Sequence, residues 1–176
     1  MGGLLAENEP VVFEFKTPVV RESVFKEGVG LLDRERDEYA EAIATFVTNY
    51  VVTERASKES LSFARRALGL ALHLSSRNKR AMVTKFQLGK GTLPKVVETE
   101  YSPKTLSALL VTRAETLFEQ KGDQNRLLAR ALIDLAVTID PHNDDAIYAY
   151  ELQKIDYGEL NWSQFTDPPA VKKATP

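Results

Sequence analysis

The chain has 176 residues, with 23 Lys and Arg against 25 Asp and Glu, and it contains no cysteine. That length fits one domain with an ordinary apolar core. The lack of cysteine excludes a disulfide scaffold, a thiol nucleophile and thiolate metal sites, and a pI near 5.8 confines any phosphate-binding surface to a local patch.

The opening MGGLLAENEP has no basic region followed by a long apolar run, so it does not read as a secretory signal. No apolar stretch approaches the roughly 18 residues of a membrane-spanning helix. A cytoplasmic location is therefore the default expectation. Ala6 stands where myristoylation of the Met-Gly start expects Ser or Thr. Val11, Val12, Phe13 and Phe15, bounded by Pro10 and Pro18, predict an extended segment. Residues 1–20 are expected to form an arm packed on helices, with pairing to residues 95–99 as the alternative.

Helical patterning starts at Arg21. Val24, Phe25, Val29, Leu31 and Leu32 suggest a first helix, weakened by Gly28 and Gly30. Residues 38–52 carry Tyr39, Ala42, Ile43, Phe46, Val47 and Tyr50 in one stripe at spacings of three and four. Ser57 or Ser60 supplies a cap for the next helix, whose stripe is Leu61, Ala64, Leu68, Ala71 and Leu72. Residues 78–88 follow, with Ala81, Met82 and Phe86 at helical spacing, ended by Gly89 and Gly91. Residues 91–102 form the longest expected break. Ser102 or Thr105 then caps a helix running to Glu119, and Lys121-Gly122-Asp123 makes a turn with Asp123 as cap. Residues 125–139 are amphipathic through Leu128, Leu132, Leu135, Ala136 and Ile139, and Asp140-Pro141 ends them. Asn143 or Asp144 opens a last helix that Gly158 stops near Tyr157.

The chain repeats itself at a displacement of 65 residues. Phe63-Ala64-Arg65 falls on Leu128-Ala129-Arg130, Leu68 and Ala71 fall on Ile133 and Ala136, and Asn78 falls on Asn143. Each copy has small residues seven apart, Ala64 with Ala71 and Ala129 with Ala136, and the later copy places Pro141 five residues further on. Phe25 to Gly30, followed by Tyr39, Ala42, Ile43 and Phe46, reads as the opening of a similar unit. In these features, residues 22–157 resemble a degenerate tetratricopeptide repeat. Ser76 departs from the expected proline, and the two best matches imply opposite pairings of the helices at 37–53 and 58–75. The resemblance implies helical hairpins stacked in series, with small residues where neighbouring helices approach.

Catalytic chemistry is not evident. His73, beside Leu72 and Leu74, reads as a boundary residue rather than a base. Asp140-Pro141-His142-Asn143-Asp144-Asp145 gathers oxygen atoms but lacks the central Gly and downstream Glu of a calcium loop. Capping the following helix is its simpler use. Gly89-Lys90-Gly91-Thr92 lacks the spacing of a phosphate loop. No catalytic, cofactor-binding or metal-binding residue is assigned, and no enzyme is expected. Arg77, Lys79, Arg80, Lys85, Lys90 and Lys95, with Arg65 and Arg66, would grip an acidic partner if they shared a face. Trp162 is expected to cover the open end of the helical stack.

These readings converge on an all-α fold: a right-handed stack of antiparallel helical hairpins with six or seven helices. An extended arm at 1–20 precedes the helical domain at 21–160, and a strap and Pro-containing tail follow at 161–176. The expected function is a non-catalytic scaffold or adaptor that takes a peptide or protein segment in a groove between successive hairpins. Candidate contacts are Lys79, Arg80, Lys85, Tyr148 and Tyr150. The partner is a protein or peptide, acidic if the basic cluster binds it, and a homo-oligomer is compatible with the same surfaces. The alternatives are a helical module of a larger protein, suggested by the Pro-rich end, and nucleic-acid binding through the basic cluster at 77–95.

Overall fold

The computed structural model describes residues 10–26 and 28–169. The expectations for residues 1–9 and for the tail beyond Pro169 lie outside the described residues. The fold is all-α. Among the described residues there are seven helices and no β-strand: α1 (Asp33–Thr53), α2 (Lys58–Leu74), α3 (Lys79–Gly89), α4 (Pro103–Gln120), α5 (Asp123–Ile139), α6 (Asp144–Tyr157) and a single turn, α7 (Ser163–Thr166).

Local chemistry sets the boundaries. Ser57, Asn78, Ser102 and Asn143 each accept a hydrogen bond from the backbone N–H three residues on, which caps α2, α3, α4 and α6. Gly91 and Gly158 leave their helices at φ +72° and +74°, a region that costs other residues energy. The turn before α5 differs from expectation. Gly122 is its cap residue, and Asp123 is the first helical position, where its charge faces the positive helix end.

α1 packs on α2 and α4 packs on α5, which identifies the two hairpins; α3 then lies mainly against α1, and α6 mainly against α5. The 65-residue repeat appears as matching helix starts at Lys58 and Asp123 and at Lys79 and Asp144. Ala64, Ala71, Ala129 and Ala136 are all fully buried. Small side chains there let helices approach to backbone distance, and the Ser107 hydroxyl on α4 reaches the Ala136 carbonyl on α5 at 2.8 Å.

Among the described residues of 21–32 there is no helix. Gly28 sits at φ +108°, and tertiary bonds take the local backbone donors. The N–H of Val24 goes to His73 Nδ1 and that of Gly30 to Asn125 Oδ1. Phe25, Val29 and Leu31 are buried as anchors of a non-helical strap. The apolar spacing was real, but it serves packing onto α2 and α5 rather than one helix face. Pairing of the first segment with residues 95–99 is also absent. Val97 instead exchanges both backbone hydrogen bonds with the Asn49 side chain.

Ends of the described chain meet over α2. Val19 N–H donates to the Thr166 carbonyl at 2.9 Å, and Arg65 on α2 forks onto both oxygens of Asp167. That fork, with the Thr166 hydroxyl, holds the Asp167 carboxyl well below the usual carboxylate range. Phe165 is fully buried against Phe25, His73 and Trp162. Gly69 on α2 makes room for it, since a Cβ there would lie 2.8 Å from the Phe165 carbonyl oxygen.

His73 joins these parts. Its Nδ1 accepts from Val24 N–H at 3.1 Å, and its Nε2 donates to the Phe165 carbonyl at 3.0 Å. This is the neutral form, and burial lowers its pKa below the usual 6.5, against the opposing pull of the Phe165 carbonyl. As pH falls through about 6.5, the unfolded chain takes a proton that the folded chain resists. Stability should therefore decline from pH 7.5 to pH 5. Urea midpoints across that range should show the slope in the native protein and lose its His73 part in His73→Gln.

Candidate peptide-binding groove

The face of α3 turned away from the core is apolar. Ala81, Thr84 and Leu88 face inward at spacings of three and four, whereas Met82 and Phe86 are 51% and 66% exposed. Met82 and Phe86 therefore do not join Ala81 on the buried face, because positions 82 and 86 fall on the other side of the helix. Together with Leu72 of α2 and Val20 of the N-terminal segment, they border an open groove of about 570 Å³. Gly89 lets that segment close in, since a Cβ there would lie 2.7 Å from the Thr17 methyl. Among the described residues Lys85 and Lys90 are the only charged ones lining the groove, and the Lys90 ammonium rests 5.6 Å from the Phe86 ring. An apolar floor with two cations suits an acidic chain carrying apolar side chains.

The five candidate contacts do not form one site. Lys85 lines this groove. Lys79 and Arg80 share a separate hollow of about 200 Å³ with Glu41 and Val83. Tyr148, 69% exposed, belongs to a groove between α4 and α6. Tyr150 lines a small polar cavity of about 120 Å³, where the Lys154 ammonium stands 5.1 Å from its ring. The basic cluster is likewise divided: Arg65 is committed to Asp167, and Arg66 stands over Trp162. Sequence reasoning missed Phe86 as a surface residue. The signal was present as Ala81 and Leu88 seven apart, which already defines the buried face.

Trp162 does not close an end of the assembly. Its Nε1 donates to Asp134 of α5 at 2.7 Å while Arg66 of α2 covers its ring, so it ties one hairpin to the other. Burial raises the Asp134 carboxyl pKa above its usual value, opposed by the Trp162 bond and by Arg66. Asn143 caps α6, and the Asp140 carboxylate accepts from His142 N–H within the turn. Among the described residues no three His, Asp or Glu side chains gather as a metal site, and no helix is long and apolar enough to cross a membrane. Comparison with protein-family models, curated proteins and solved structures finds no match to this chain.

Proposed function

We propose that the protein is a non-catalytic helical-repeat module of the tetratricopeptide kind, a scaffold or adaptor that binds an acidic, partly apolar segment of another protein. Three features support the repeat reading: two helical hairpins, matching helix starts 65 residues apart, and four buried alanines at the facing positions. The observation that carries the binding reading is the open groove beside α3, with Met82 and Phe86 exposed and, among the described residues, only Lys85 and Lys90 as charges. Exposed aromatic and Met side chains are poor surface choices unless a partner covers them. The dispersal of the basic cluster argues against nucleic acid, which would need its cations along one track.

Copurification from source cells tests the groove. The variant Lys85→Glu/Phe86→Ser, checked for native helicity, should lower recovery of a bound partner by about tenfold or more. Lys79→Glu, in the other hollow, should leave recovery unchanged. Equal recovery with native protein and with the groove variant would remove this site.

A further inference from the structure

The internal repeat exposes a difference between the two halves. α3 and α6 correspond at a displacement of 65 residues through their caps, Asn78 and Asn143. α1 and α4 correspond at 70: Asp37 and Ser107 each accept a hydrogen bond from the cap asparagine of their unit, and Ala44 and Ala114 are each buried. On this alignment the residues between α4 and α6 stand where the α1–α3 contact lies in the first half. Glu115 and Phe118 replace Thr45 and Thr48, while Tyr148, Ala149 and Leu152 replace Val83, Thr84 and Gln87.

The first half is closed. Thr48 and Thr84 hydroxyls meet at 2.8 Å. The chain leaving α3 then crosses α1, where Asn49 clamps the backbone of Val97 at 2.9 Å in both directions. Pro94 of this strap is buried, and Leu93 packs on the core. In the second half the chain leaving α6 takes another course, to Trp162 and α7. The corresponding position is a groove of about 320 Å³, bordered by Phe118, Tyr148 and Leu152, with Glu115, Asp145 and Asp156 as its charges. Among the described residues no Lys or Arg lines it; Arg126 and Arg130 stand at its margin over the Tyr157 ring, with Arg126 paired to Asp123.

We infer that this α4–α6 groove is a second docking surface, which takes an extended, cationic, aliphatic segment of a partner protein. Aliphatic side chains suit its apolar floor and cations suit its rim, a combination the chain itself carries in Leu-Pro-Lys-Val-Val at 93–97. Three carboxylates set the sign. This surface differs in position and in charge from the groove beside α3, so the two readings stand or fall separately.

The test is an amide-correlation NMR titration of the full chain with the peptide acetyl-Leu-Pro-Lys-Val-Val-Lys-amide, alongside the same peptide with Glu for both Lys. Saturable shifts are expected at 115–118 and 145–157, from the cationic peptide only. Asp145→Lys/Asp156→Lys should weaken its binding by about tenfold or more while leaving the remaining spectrum in place. Shifts confined to α3, equal response to both peptides, or no saturable response would overturn the proposal. So would groove shifts that grow with protein concentration alone, which would assign the face to a second copy. Binding seen only after removal of residues 170–176, which carry Lys172 and Lys173, would assign it to the chain's own tail and overturn it as well.

Discussion

Phe165→Ala is expected to lower the unfolding free energy by about 3–5 kcal/mol, the range for emptying an aromatic site in a packed core. Phe165 belongs to a single helical turn, yet it is fully buried and touches the rings of Phe25, His73 and Trp162. It lies against α2, and it backs the tryptophan that reaches across to α5. The cavity cannot collapse easily, because the Phe165 backbone is fixed from both sides: its carbonyl accepts from His73, and the next carbonyl accepts from Val19. Calorimetry should show a midpoint lower by about 10 °C, at roughly 2–4 °C per kcal/mol for a domain of this size. Phe165→Leu keeps most of the volume and should cost about half as much. A loss under about 1 kcal/mol for the alanine variant would mean that α7 is not seated on α2 in solution.

The second large effect is expected at Arg36. Its guanidinium donates to the carbonyls of His73 and Leu74 at the C-terminal end of α2, at 3.0 and 2.9 Å, and to the Phe25 carbonyl at 3.2 Å. Carbonyls at a helix end have no partner inside the helix, and the end carries partial negative charge. One cation therefore satisfies the end of α2 and fastens the strap that carries Phe25. Arg36→Ala should cost about 3 kcal/mol, since it removes charge-assisted bonds and takes from the Leu74 carbonyl its side-chain donor, while the Ser23 hydroxyl still reaches the Phe25 and His73 carbonyls. Arg36→Lys should recover only a fraction, because an ammonium cannot span three carbonyls with the geometry of a planar fork. Urea denaturation of the three proteins checks both statements.

Much of the helical framework was legible because its determinants are local. Ser57, Asn78, Ser102 and Asn143 announce helix starts through one side-chain oxygen each, and Gly91 and Gly158 announce stops through backbone freedom. The 65-residue repeat was equally readable, since buried alanines tolerate few alternatives. Residues 21–32 were misread because the apolar spacing suggests a helix while the backbone N–H groups of Val24 and Gly30 answer to partners some 50 to 100 positions away, His73 and Asn125. Arg36 was invisible for the same reason, as its acceptors lie at the end of another helix and in the strap. The scatter of Lys79, Arg80, Lys85, Tyr148 and Tyr150 over four depressions follows from the helix period, which sends neighbours in sequence to different sides. The α4–α6 groove has no sequence signature of its own; it emerges only when the two halves are compared in space.

The closure of α7 over α2 bears on how the protein is made. A ribosome releases α1 and α2 long before it reaches Phe165, so the nascent first hairpin waits with the seat around Gly69 and His73 uncovered. Nearly a hundred further residues must be translated before the plug arrives. Until then the hairpin lacks the side chain that fills this seat, so its last packing contacts form only when the C-terminal turn has been made.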